Sequence, residues 1–125
     1  MNGVLVDTSV WVDHFRNGNA VLADLLALDL VMTHPLVLGE IACGTPPNRI
    51  RTLADLDRLQ QTRQASIREA IAFIERERLF GLGCGLVDVL LLASTLLTPG
   101  VALWTLDKSL SELAGRFDVT YRARH

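Results

Sequence analysis

The sequence predicts an α/β fold, a three-layer α/β/α sandwich around a mainly parallel central sheet. Two patterns carry that prediction. Short aliphatic runs, Val4-Leu5-Val6, Leu30-Val31-Met32-Thr33 and Val101-Ala102-Leu103-Trp104-Thr105, alternate with longer segments of helical periodicity. The stretch from Leu86 to Leu97 is apolar nearly all round, as suits a helix packed both on a sheet and on other helices. With 125 residues, half of them hydrophobic, the chain can bury a sizeable aliphatic core, and residues 1–125 are expected to form a single domain.

The first strand, Val4 to Val6, runs into Asp7, Thr8 and Ser9. Val10-Trp11-Val12 then reopens an apolar pattern, so Ser9 or its neighbour is expected to cap a first helix. Residues 20–30 carry Val21, Leu22, Leu25 and Leu26 at helical spacing, before the second strand at 30–33. Thr33-His34-Pro35 reads as a helix entry, with proline in the first turn where its missing N–H costs nothing. That helix should reach Gly44, and Pro46-Pro47 breaks it.

Residues 48–64 are helical in pattern, with Leu53, Leu56 and Leu59 opposite a face rich in Arg and Asp. A second helix over 66–79 places Ile67, Ala70, Ile71 and Ile74 on one stripe and opens on the capping-box match Ser66-Ile67-Arg68-Glu69. The pattern leaves open whether these are two hinged helices or one bent one. Gly81, Gly83 and Gly85 mark a connection to the Leu86–Leu97 helix, which Pro99-Gly100 ends. After the strand at 101–105, Ser109-Leu110-Ser111-Glu112 is a further capping-box match opening a short helix, and Val119-Thr120-Tyr121 is expected as an edge strand.

Composition narrows the function. A charged fraction of 21% is too low for a disordered chain. No basic start followed by a long apolar core marks a signal peptide, and Val89 to Leu97 is far too short to span a bilayer, so a cytoplasmic protein with no membrane partner is expected. Cys43 and Cys84 lack metal-ligand spacing and read as a buried, reduced pair of small hydrophobes. His14, His34 and His125 read as surface or cap residues. The overall charge is −2, divided into −4 over residues 1–48, +2 over the Arg-rich residues 49–78, and balance thereafter.

Four acids stand apart from the rest. Asp7 ends the first strand; Glu40 lies three and four residues after Val37 and Leu36, on an apolar helical stripe; Asp88 sits in the first turn of the buried helix; Asp107 follows the strand ending at Thr105. Asp55, Asp57, Glu75 and Glu77, by contrast, lie on charged, solvated faces. Taken singly, Asp7 and Asp107 suit turns or caps, Asp88 a helix N-terminus, and Glu40 the edge of its stripe. Taken together, four acids fixed to core elements require pairing, protonation or a cation. An all-oxygen donor set with no Cys or His suits Mg²⁺, with Mn²⁺ as a substitute, and a carboxylate-held dication is suited to phosphodiester hydrolysis.

The segments VDTSVWVD, LGEIACG, GLVDVLLLAS and LWTLDKSL, in this order over nearly the whole chain, resemble the four motifs of PIN-domain ribonucleases, and most closely those of VapC toxins from VapBC toxin–antitoxin modules. The resemblance implies a PIN-like fold, with Asp7, Glu40, Asp88 and Asp107 as metal-binding catalytic acids. It implies Thr105 as a hydroxyl in the same pocket, and Thr8 and Ser9 as support for the loop of the first acid. It further implies endonucleolytic RNA cleavage, a homodimer, and a cognate VapB-like antitoxin as partner. Many relatives carry Trp where this chain has Leu86, a polar residue near Leu90, and more basic residues around Leu106. Arg49, Arg51 and Lys108 are candidate contacts to the RNA backbone. Two other readings stand beside this one. One is a non-catalytic PIN-fold binding or regulatory protein. The other is a phosphotransferase that forms an aspartyl-phosphate on Asp7, although Ser9 stands where such enzymes usually carry a second Asp.

Overall fold

The computed structural model describes residues 2–122. Four strands, β1 (Gly3–Val6), β2 (Val31–Thr33), β3 (Gln60–Gln61) and β4 (Val101–Trp104), form one sheet in the order β3-β2-β1-β4. Every pairing is parallel, with Val4 opposite Val31 on one side of β1 and opposite Ala102 on the other. The helices are α1 (Thr8–Asn17), α2 (Ala20–Ala27), α3 (Pro35–Ala42), α4 (Arg49–Asp57), α5 (Ile67–Glu77), α6 (Leu86–Leu97) and α7 (Lys108–Arg116).

The three layers follow from β1. Successive strand residues face opposite sides of a sheet, and Val4, Leu5 and Val6 are all fully buried, so both faces are covered. Parallel neighbours also require crossovers over the sheet faces. Helix α6, with a continuous buried run from Val89 to Thr95, packs on β4 and α5. One core cluster joins Val4 and Leu5 to Val37, Leu91 and Leu110. Gly3 lets Met32 of β2 pack over the start of β1: a Cβ there would lie 2.6 Å from the Met32 sulfur, and that side chain would have to shift.

Several expectations from the sequence are corrected. The helical pattern over 48–64 stops at Asp57; Gln60–Gln61 then add a short strand to the edge of the sheet, so α4 and α5 are neither one bent helix nor a simple hinged pair. Two exposed glutamines carry no strand signal, and only their pairing with Met32 and Thr33 makes them one. Strand β4 ends at Trp104, which leaves Thr105 free to turn its hydroxyl toward β1. The expected last strand reduces to a parallel bridge between Thr120 and Leu103. Helix α7 begins one residue after Asp107, whose carboxylate caps it by accepting from the Leu110 N–H at 2.9 Å; Ser109 lies inside the helix and forms no capping box. The Ser66–Glu69 box of α5 does form, with both reciprocal bonds.

The cysteines are free but not buried: Cys43 is exposed and Cys84 half-buried. Two histidines take cap roles as expected. His14 Nδ1 accepts the Asn19 N–H at 3.0 Å beyond the end of α1, and His34 Nδ1 accepts the Leu36 N–H at 3.0 Å at the start of α3. His125 lies outside the described residues. No helix among them is long and apolar enough to cross a membrane.

Candidate functional site

Open parallel sheets bind ligands beyond the carboxyl ends of their strands, at the point where the chain leaves adjacent strands in opposite directions. In this sheet that point lies between β1, whose chain passes on toward β2, and β4 on its other side. Asp7 stands at the end of β1; Thr105 and Asp107 follow β4.

The junction is locked by hydroxyls. Asp7 is only 7% exposed, and its Oδ2 accepts both the Ser9 hydroxyl and the Thr105 hydroxyl at 2.8 Å. Each hydroxyl has one proton, so the 3.3 Å approach of Ser9 Oγ to Thr105 Oγ1 leaves both donating to Asp7. Their lone pairs in turn accept backbone donors from the β4–α7 loop, the Leu106 N–H to Ser9 at 2.9 Å and the Asp107 N–H to Thr105 at 3.0 Å. Residues nearly a hundred positions apart are thus tied at one carboxylate oxygen. Asp7 is itself the N-cap of α1, but its side chain makes no capping bond, and the expected cap at Ser9 is replaced by this clamp.

The other three acids are held in the same way, by one oxygen each. Glu40 Oε1 accepts the Thr8 hydroxyl at 2.9 Å, Asp107 Oδ1 accepts the Leu110 N–H, and Asp88 Oδ2 accepts the Gly85 N–H at 3.4 Å. The last is half of a capping box, since Gly85 has no side chain to return the bond. Among the described residues the second oxygen of each acid accepts no protein donor. Glu40 is solvent-exposed, on the flank of the α3 stripe formed by Val37 and Ile41 and not on the stripe itself. Thr8 Oγ1 restrains it from across the cleft.

Electrostatics link the four. Burial pushes the Asp88 carboxyl above its ordinary range; the Gly85 N–H works against that shift, and the charges of Asp107, Asp7 and Glu40 add to it. Burial also raises the neighbouring Cys84 thiol, with Asp88 and Asp107 adding to the effect. The charges of Asp107, Asp7 and Glu40 thus all reach Asp88, and no lysine or arginine offsets them there. As the side chains stand, no three metal-ligating residues among those described are gathered closely enough to hold an ion between them. The arrangement is an open acidic pit with one unengaged oxygen per acid. That donor set fits a hard dication: oxygen only, carboxylates oriented by second partners, and net negative charge left over.

The predicted nucleic-acid contacts are less uniform. Arg49 directs its guanidinium to the Ala42 carbonyl at 2.6 Å, closing the C-terminus of α3. Arg51 lies 3.9 Å from Asp55 in an exposed pair that contributes little to stability. Lys108 opens α7 beside Asp107 and is exposed. Sequence reasoning missed the backbone half of the clamp, the Leu106 and Asp107 N–H groups, because main-chain donors leave no mark in side-chain identity.

A family model described as PIN domain matches residues 4–116. Two proteins named Ribonuclease VapC32, from Mycobacterium tuberculosis strains CDC 1551 / Oshkosh and ATCC 25618 / H37Rv, are each 43% identical to this chain over 107 residues, covering 86% of it and 86% of their own length. The all-parallel sheet, the acids at its carboxyl end and these likenesses agree: the chain belongs to the PIN-domain family, among its VapC ribonucleases.

Proposed function

We propose that this protein is the toxin of a type II toxin–antitoxin module, a metal-dependent endoribonuclease acting in the cytoplasm as a single nuclease domain. The observation that carries the reading is the hydroxyl clamp on Asp7, which fixes one carboxylate oxygen and leaves the other free of protein donors, while the charges of Asp107, Asp7 and Glu40 all act on Asp88. Asp7, Asp88 and Asp107 would hold Mg²⁺, or Mn²⁺ in its place, which when bound would supply charge neutralisation at the phosphate and a water of lowered pKa. Glu40, on the solvent side and steadied by Thr8, accepts the proton of the attacking water. Thr105 and Ser9 hold Asp7 in one orientation, while Lys108 contacts the RNA backbone. Hydrolysis in line leaves 5′-phosphate and 3′-hydroxyl ends.

Ser9 is spent on the clamp, in the position where an aspartyl-phosphate enzyme would need a second acid, which favours hydrolysis over phosphotransfer. A cognate VapB-like antitoxin silences the site. Homodimerisation is supported by large aliphatic side chains left uncovered on α5 and α6: Ile67 is 57% exposed and Ile71 53% on one face of α5, and Leu97 40% at the end of α6. Total cellular RNA incubated with the protein in Mg²⁺, Mn²⁺ or chelator, with the cut ends mapped, tests the reading. It predicts discrete, ion-dependent cuts lost in Asp7→Asn. Cutting that persists in chelator, or in Asp7→Asn and Asp88→Asn alike, contradicts it.

A further inference from the structure

A cavity of about 390 Å³ opens beside the acidic pit, between α1 and the loop that joins α3 to α4. Thr8 and Glu40 belong to both, so the cavity is one side chain away from the proposed point of cleavage. Its α1 wall repeats at helical spacing, Thr8, Val12, Phe15 and Arg16, and Pro46 and Pro47 form the opposite loop wall. Phe15 is half-buried, its ring held 6.0 Å from that of Trp11. Arg16 is the only lysine or arginine among the first 48 residues, a segment of net charge −4, and it is exposed with no carboxylate partner among the described residues.

We propose that this cavity is a specificity subsite for one unpaired nucleoside of the RNA, next to the scissile phosphate, with the base stacked on Phe15 and the adjoining phosphate held by Arg16. The inference rests on the nuclease reading above and adds to it which nucleotide is recognised and by what. An aromatic face and a rigid proline wall suit a flat heterocycle, and recognition of single-stranded RNA depends on such stacking. A lone cation at the mouth of an otherwise acidic half suits a phosphate of the same nucleotide, because the acids nearby would repel that phosphate without it. Pro46 and Pro47 lack N–H donors and set the shape of this wall, while Thr45 beside them is the side chain there able to hydrogen-bond a base edge.

The test uses short single-stranded RNAs carrying a mapped cut site, with an abasic nucleoside placed in turn on each side of the cut. With the unaltered protein, kcat/KM should fall about tenfold or more for one abasic position. Phe15→Leu, which keeps a large apolar side chain against Trp11, should bring that base-to-abasic ratio close to one. Arg16→Gln, on an exposed position, should raise KM and reduce the salt dependence of binding by about one counterion. Binding of the same base-containing and abasic RNAs in chelator, followed by fluorescence anisotropy and set beside cutting of those RNAs in Mg²⁺ or Mn²⁺, separates this proposal from the nuclease reading. Phe15-dependent preference for the base without any cutting supports the subsite and contradicts the nuclease. Cutting with an unchanged base-to-abasic ratio in Phe15→Leu overturns the subsite and leaves the nuclease intact. A Phe15→Leu effect confined to binding of a peptide inhibitor also overturns it.

Discussion

Two buried polar clusters sit at the carboxyl end of the sheet, and they differ in what they leave over. At β1 and β4, Ser9 and Thr105 satisfy one oxygen of Asp7 and leave the second toward the pit. Beside β2, His34 Nδ1 accepts the Leu36 N–H, so its proton is on Nε2, which donates to Ser94 Oγ at 3.1 Å; that oxygen also accepts the Ala65 N–H at 3.0 Å. The second cluster is neutral and turned inward: it ties α3, α6 and the start of α5 together. The first carries a charge and keeps bonding capacity unspent. Both fix strand ends to helices, and only the one with residual valence can bind a ligand. Mutation should therefore separate function from stability between them.

The largest expected effect is in the charged cluster. Asp7→Asn keeps the shape and the two hydroxyl contacts but removes the charge; RNA cleavage should fall by at least 10³-fold, about the scale of losing a principal electrostatic contribution to the transition state. Circular dichroism should show the fold intact. Thr105→Val removes one donor to Asp7 and the acceptor for the Asp107 N–H, and activity should drop about 10–100-fold, as for partners that orient metal ligands. Unaltered kinetics in Thr105→Val would break the comparison, since the clamp would then be mere packing.

The neutral cluster should respond in the opposite sense. Ser94→Ala strands the Ala65 N–H and the His34 ring proton in the core and should cost about 1–3 kcal/mol in chemical denaturation. Its cleavage rate per folded molecule should remain that of the parent. The same cluster predicts acid sensitivity. Burial lowers the pKa of His34 below its ordinary 6.5, so the unfolded chain takes up the proton first as pH falls. Stability is therefore full above pH 6.5 and declines as pH drops below it, toward the lowered folded-state value. Denaturation midpoints from pH 7.5 to 5 should show that decline, and His34→Asn, which retains an N-cap oxygen, should flatten it. The smallest effect on stability concerns Asp88. Its proton affinity is raised in the fold, so without metal its ionised form opposes folding as pH rises through that raised value. Asp88→Asn should raise the metal-free melting temperature by a modest amount, on the order of 1–2 °C, while abolishing cleavage. A lower melting temperature would mean that its capping of Gly85 outweighs the burial of its charge and the repulsion by the other acids.

Much of this was legible in the chain. Val4-Leu5-Val6 had to be a strand buried on both faces, and Leu86–Leu97 a helix with no solvated side, because no other placement hides so many consecutive aliphatic residues. The four acids attached to core elements also stood out in the chain, and the hydroxyls at 8, 9 and 105 beside them are bonded to Glu40 and Asp7. Tertiary pairing was not legible. Gln60 and Gln61 become a strand only because β2 offers an open edge, and Glu40 lies on the flank of its helix by a rotation of one residue, which periodicity alone does not resolve. Asp107 illustrates a third kind of ambiguity. It caps α7 and its charge also reaches Asp88, so a correct local explanation for a residue does not exclude a functional one. The cavity beside Glu40 was invisible in the sequence, because its walls come from α1 and a loop some thirty residues later.

The central claim is that Asp7, Asp88 and Asp107, distant in the chain, supply ligands to one cation. Mn²⁺ binding followed by electron paramagnetic resonance, on the parent and on Asp7→Asn, Asp88→Asn and Asp107→Asn, measures this without reference to RNA. The account predicts a saturable site in the parent that Mg²⁺ displaces and that each of the three substitutions weakens. Equal Mn²⁺ affinity in the parent and in all three variants would contradict it.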